Sequence, residues 1–318
     1  MFAIRPTTMR ARAMLAVIAC TISWLAQAAP ATLALNWKAE PQFGGFYAAQ
    51  VLGLFKQNNL DVKIIEGGSG SPTIQVVGAG QVDYAVVSAD EVVISHARGA
   101  KNVVALFATF QTNPQGIMVH AERGFKSIDQ VMKSDGMLLW QAGLPYAQYF
   151  KKKYAPFKVA TAPYLGGIGN FQNDAKLAQQ CFVTSEPLTA QRGGLKVQTF
   201  LVADSGYNPY TTVLVTTSAH LKKHPDEVRR MVAAVRAGWA AYLRDPTATN
   251  AAMGRINKAM DAETFHASAA AQVGLIQTKD ISKLGAMSLA RWQTLVDQLR
   301  DLKLIKAPVN PAALFVDL

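Results

Sequence analysis

The residues of this chain best suited to act on a small molecule sit where short apolar runs end. Asn36 and Trp37 follow the run Ala31 to Leu35, Ser69 follows Asp61 to Ile65, and Ser88 and Asp90 follow Val82 to Val87. Gln111 comes after Val103 to Phe107, Gln141 after Gly136 to Trp140, and Thr184 and Glu186 after Cys181-Phe182-Val183. Tyr47 and Tyr210 add two further rings. The chemistry on offer is recognition. Rings such as Trp37 and Tyr47 present flat faces to a planar ligand, while amides, hydroxyls and a carboxylate hydrogen-bond its edge. The same aromatics, with Phe43 and Phe46, also suit a core, and both readings stand at this level. The five histidines are scattered without metal-ligand spacing, and there is no nucleophile elbow or metalloprotease pattern. No catalytic residue, metal or cofactor is therefore expected, and the chain is expected not to be an enzyme.

Positioning these residues requires strands that feed helices. Asn36 to Gln42, Gly67 to Ser71 and Ser88 to Glu91 each lie between a β-branched or apolar run and a stretch with helical apolar spacing. Pro72 suits the first position of one such helix. Right-handed crossovers would open all three junctions on the same edge of one sheet, at the carboxyl ends of its strands, where open α/β sheets bind ligands. Gly44 and Gly45 would admit a close neighbour, a ligand or another backbone, at the first helix. The rhythm then repeats. Ser127 to Gln130 reads as a capping box, Gly136 to Trp140 as a strand and Tyr146 to Tyr154 as a basic helix. Tyr164 to Asn170 is glycine-rich, yet it lacks dinucleotide spacing and follows no clear strand. Thr112 to Gln115 and Asp204 to Tyr210 read as two crossings between lobes. This divides the chain into lobe 1 (29–113 plus 209–318) and lobe 2 (114–208).

Arg5, Arg10 and Arg12 precede an apolar run from Ala13 to Leu25 that ends in small residues, the pattern of an export signal cleaved near Ala28. The run continues past Cys20, which favours plain export over lipid attachment. The formal charge of +11 falls to +8 without the three signal arginines. It is spread out: Lys151-Lys152-Lys153 and Lys222-Lys223 are not interleaved with aromatics as a nucleic-acid surface would be. A free, monomeric periplasmic protein without nucleic acid is expected. After cleavage Cys181 would be the only cysteine, and its apolar neighbours read as a buried, inert thiol.

Leu35-Asn36-Trp37, Gly44 to Ala49 with Gly53-Leu54-Phe55, Leu60-Asp61-Val62, Gly80 to Tyr84, Phe182 to Pro187 and Gly206-Tyr207 resemble one group. It is the periplasmic substrate-binding proteins of ABC importers, the alkanesulfonate, taurine and nitrate type and especially the thiamine-pyrimidine precursor type. The resemblance implies two mostly parallel α/β lobes of the type II periplasmic binding protein fold that close on a solute and deliver it to an ABC permease. It implies that Trp37 and Tyr47 sandwich a heteroaromatic ring and that Glu186 hydrogen-bonds ring amino groups. Asn36, Ser69, Ser88, Asp90, Gln111, Gln141 and Tyr210 are candidates from position. A small anion is the alternative solute, held at helix starts near Ser69 and Ser88. A fungal branch that synthesises the thiamine pyrimidine carries a cysteine-rich run near the position of Cys181, and this chain lacks it.

Overall fold

The protein is described by a computed structural model covering residues 1–3, 30–68, 70–277 and 280–318. Apart from its first three residues, the expected export signal lies outside the described residues, as does Ser69.

Four strands, β1 (Ala31–Ala34), β2 (Val62–Ile65), β3 (Tyr84–Val87) and β4 (Val103–Phe110), alternate with helices Gly44–Val51, Thr73–Gly78 and Ala89–Ala97. The chain then crosses through residues 111–114 into β5 (Gln115–His120), β6 (Met137–Trp140), β7 (Ala160–Pro163), β8 (Leu177–Phe182) and β9 (Val197–Leu201). It returns through residues 202–210 to β10 (Thr211–Thr217). Two five-stranded sheets result, ordered β2-β1-β3-β10-β4 and β7-β6-β8-β5-β9. Strands β2, β1 and β3 are parallel, as are β7, β6 and β8, so the helices that follow them start on one edge of each sheet. Strand β10 runs antiparallel to β3 and β4, and β5 runs antiparallel to β8 and β9. Each antiparallel strand adjoins a crossing, which ties the two segments joining the lobes to the middle of a sheet.

The sequence explains most of these elements. Strands β3 and β4 are buried along their whole length, as their continuous apolar runs require. The helix Pro225–Arg244 begins with a proline and two carboxylates and buries Val228, Val232, Val235, Trp239 and Tyr242. It packs on Gly44–Val51 at close range. A Cβ on Gly45 would stand 2.2 Å from the Trp239 ring, and one on Gly238 would stand 2.2 Å from the Gly45 carbonyl oxygen. The neighbour that Gly44 and Gly45 admit is therefore a helix, not a ligand. Strand β7 is absent from the sequence reading because Ala-Thr-Ala-Pro carries little strand signal. It is an edge strand paired with β6 alone, where a proline costs no ladder bond on the open side. Cys181 is buried, and burial pushes its thiol well up from the ordinary range.

Candidate functional site

Between the lobes lies a cavity of about 1210 Å³. All three strand-to-helix junctions of the first lobe open onto it: Asn36, Trp37, Glu40 and Gln42 from the first, Gly68, Gly70 and Ser71 from the second, and Ser88, Asp90 and Glu91 from the third.

The first junction is held from behind. Gly67 N–H donates to the Trp37 carbonyl (3.0 Å), and a Cβ on Gly67 would stand 2.2 Å from the Leu35 carbonyl oxygen, so only glycine permits this approach. Ala39 N–H donates to Glu66 Oε1 at 2.7 Å. Glu40, extended at φ −139°, precedes a short turn opened by Pro41. Its carboxylate accepts from Trp37 Nε1 (3.1 Å) and from Gln42 Nε2 (3.0 Å). Burial raises the Glu40 carboxyl, and these two hydrogen bonds and Lys38 only partly offset that.

At the third junction the helix Ala89–Ala97 consumes its own N-terminal donors. Ser88 N–H and Oγ donate to Glu91 Oε2 (2.8 and 3.1 Å), and Glu91 N–H donates to Asp90 Oδ1 (3.0 Å). Tyr207, from the second crossing, donates to Asp90 Oδ2 at 3.2 Å. Desolvation, with the Glu91 charge adding to it, pushes the Asp90 carboxyl up to about 7. A buried and a half-buried carboxylate on one helical turn cost stability, and such perturbed groups concentrate at functional sites.

The second lobe's wall is built from strand ends β6, β7 and β8. Gln180 Oε1 accepts from Gln141 N–H (2.6 Å) and Tyr146 Oη (2.9 Å), and Gln180 Nε2 donates to Gln141 Oε1 (3.2 Å). Tyr164 donates to Glu186 Oε1 and Phe182 N–H donates to Glu186 Oε2, both at 2.8 Å. Burial raises the Glu186 carboxyl; the hydrogen bonds lower it, and the charge of Glu40 across the cleft raises it further. Outside the cavity, Arg192 links the lobes by pairing with Asp261 (3.4 Å) and Glu263.

Six expected residues line this cavity: Asn36, Trp37, Ser88, Asp90, Gln141 and Glu186. Four do not, and each is a correction. Tyr47 is 3% exposed, buried in the apolar cluster beneath the first sheet. Gln111 spends its amide on the carbonyls of Ala108 and Ala286 (3.1 and 3.2 Å), fixing the first crossing to the C-terminal segment. Thr184 is fully buried, and its Oγ1 finds no partner among the described residues. Tyr210 accepts from Ser288 N–H (3.0 Å) beneath the Arg291 guanidinium, 3.9 Å from its ring centre. Glu40, Gln42, Tyr146, Tyr164, Gln180 and Phe182 line the cavity without having been singled out. Glu40 and Gln42 lay inside the first junction, where any polar side chain was a signal. Tyr164 was hidden because strand β7 was hidden.

Two α/β lobes joined by two crossings around one cleft define the periplasmic binding protein fold. The aliphatic sulphonate binding protein SsuA of Escherichia coli superposes with a TM-score of 0.67 at 12% identity, over 91% of this chain and 94% of that one. The chain belongs to the NMT1/THI5-like family, whose model matches residues 40–132 and 170–249. Among curated relatives, the 4-amino-5-hydroxymethyl-2-methylpyrimidine phosphate synthase THI11 of Saccharomyces cerevisiae is 23% identical over 257 residues, 68% of this chain and 67% of the relative. A synthase of the same name from Candida albicans is 37% identical over 68 residues, 21% of this chain, and that match spans only 20% of the relative's length. The expectation of a non-enzyme is thereby corrected, because the curated relatives of this chain are named as enzymes.

Proposed function

We propose that this chain captures a small, planar, nitrogen-bearing ring of the pyrimidine class between its lobes. In the same proposal the chain is exported, acts as a monomer, and passes its solute to an ABC permease in the membrane. The observation that carries the reading is that Trp37 on one lobe and Glu186 on the other line the same cavity. Glu186 is held by Tyr164 and Phe182 with lone pairs to spare, so it is ready to accept from a ring amino group. Such a charge-assisted bond contributes about 1.5–3 kcal/mol, and stacking on Trp37 about 1 kcal/mol beyond area burial. With contacts on both lobes, closure depends on the ligand. The names of the curated relatives support the pyrimidine class and bring bond-making on a pyrimidine among the outcomes to be measured.

A sulfonate or nitrate gains less from this cleft. The Ser88 and Glu91 amides that would hold an anion already bind Glu91 and Asp90. The cations on the lining, Arg98 and Lys101, stand beyond the far end of the helix Ala89–Ala97. A melting screen against pyrimidines, thiamine, riboflavin, nitrate, taurine and aliphatic sulfonates tests the reading, with mass spectrometry of each mixture for turnover. A pyrimidine at ~100 times its dissociation constant is expected to add about 2.7 kcal/mol of stability. A response to sulfonates alone overturns it.

A further inference from the structure

At the first junction Gln42 is 6% exposed, lines the cavity, and donates its amide nitrogen to Glu40. Its Oε1 has no hydrogen-bond partner among the described residues. A buried amide oxygen left unpaired is costly, and native structures rarely keep one without a use. Beside it, each Glu40 oxygen takes one donor and retains a lone pair. On the other lobe, the Glu186 carboxylate takes Tyr164, Phe182 N–H and its own N–H and keeps a lone pair. Both carboxylates line the same cavity, and the charge of Glu40 adds a small upward push to the Glu186 carboxyl. Gln42, Glu40 and Glu186 thus each keep an acceptor toward the cleft, two of them acidic, while the cations Arg98 and Lys101 stand at the far end of the helix Ala89–Ala97.

From this juxtaposition we propose that the solute presents a cationic nitrogen, an ammonium or an equivalent N–H⁺ group, to the first lobe's Glu40 and Gln42 opposite Glu186. The proposal rests on the reading of the cleft as a solute site and adds the ligand's charge to it. A neutral hydroxyl can satisfy one acceptor. An ammonium brings three donors and a charge, which pairs Gln42 Oε1, relieves the repulsion between Glu40 and Glu186 on closure, and is attracted to the Trp37 ring. An anion would leave Gln42 Oε1 unpaired and add repulsion.

Calorimetric titration of the intact chain at pH 7 with two matched pairs decides it. The first pair is 4-amino-5-aminomethyl-2-methylpyrimidine against its 5-hydroxymethyl counterpart; the second is benzylamine against benzyl alcohol. The amine of at least one pair is expected to bind tenfold or more tightly than its alcohol. Glu40→Gln, which keeps an acceptor for Trp37 Nε1, and Gln42→Leu are each expected to cut that preference to threefold or less, with melting temperatures confirming folding. Equal binding of both pyrimidines, with no amine preference in the benzyl pair, overturns the charge while leaving the pyrimidine reading intact. Amine preference in the benzyl pair with no pyrimidine bound does the reverse. No amine preference in either pair, non-binding included, or a preference that both folded variants retain, overturns the inference.

Discussion

The two walls of the cleft are made the same way and finished differently. Both consist of strand ends that feed helices, from β1, β2 and β3 on one side and from β6, β7 and β8 on the other. On the second lobe the polar groups that line the cleft hold one another in place: Gln180 is knitted to Gln141 and Tyr146, and Glu186 to Tyr164 and Phe182. The first lobe gathers Glu40, Asp90 and Glu91 and leaves Gln42 Oε1 without a partner among the described residues. A satisfied network holds its side chains in one geometry before the ligand arrives. An unsatisfied, acid-rich wall stores free energy that a ligand can release. The second lobe thus orients and the first lobe waits, and the cost of waiting is borne by the apo protein.

Asp90 gives the largest handle on that contrast. Its folded carboxyl keeps its proton up to about 7, whereas the ordinary value is 3.8. Between those values the unfolded chain holds fewer protons than the folded one, so stability falls as pH rises from about 4 to about 7. Integrated over that window, this single group accounts for up to about 4 kcal/mol. Asp90→Asn preserves an acceptor for Tyr207 and removes the charge. Denaturant melts at pH 4 and pH 8 are expected to show the variant more stable than the parent at pH 8 by that order and little changed at pH 4. Some slope of the same sign will remain from Glu40, Glu91 and Glu186, whose carboxyls are also raised by burial. An unchanged pH profile would mean that the first wall stores nothing at Asp90.

Trp37→Ala comes next. It removes a half-buried ring from the cleft along with the donor that orients Glu40. Lost area and stacking together are expected to weaken pyrimidine binding by about 3 kcal/mol, on the order of a hundredfold in dissociation constant. Titration calorimetry reads it, and a loss under threefold would exclude a stacked ligand. Glu186→Gln probes the oriented wall instead. The amide can still accept from Phe182 N–H, so the fold should persist, while affinity falls by about 1.5–3 kcal/mol with the loss of charge assistance. A larger loss from Glu186→Gln than from Trp37→Ala would contradict the division of labour drawn above.

Much of this arrangement was legible in the chain because strand ends announce themselves. Three junctions read from β-branched runs and helix-start residues do converge on one cavity, and their parallel strands are the reason. What periodicity could not tell was which way a ring on an amphipathic helix turns. Trp37 precedes its helix and faces the cleft, but Tyr47 sits within the helix and is buried in the apolar cluster. Gln111 and Tyr210 adjoin the crossings as expected, yet their polar atoms are used by Ala286 and Ser288. Those contacts join residues more than seventy positions apart, and no local pattern encodes them. Thr212 is another such case. A β-branched residue at φ +52° on the cavity lining, next to the second crossing, is strain that only the assembled sheet imposes.

The smallest expected effect concerns the link between the walls. Arg192, the last residue of the helix that begins at Glu186, pairs with Asp261 and Glu263 of the segment following the second crossing. All three side chains are substantially exposed, and exposed pairs contribute about 0.2–1 kcal/mol, less with salt. Arg192→Ala should therefore leave the melting temperature almost unmoved. Because the pair exists only when the lobes are near, its loss should appear in ligand dissociation, up to about fivefold faster at low salt and indistinguishable from the parent at 0.5 M salt. Stopped-flow displacement at the two ionic strengths measures this. A large stability loss would show that the pair braces the second lobe itself. A salt-independent rate would show that closure is governed by the ligand's own contacts with Trp37 and Glu186, which is what the stored repulsion of the first wall demands.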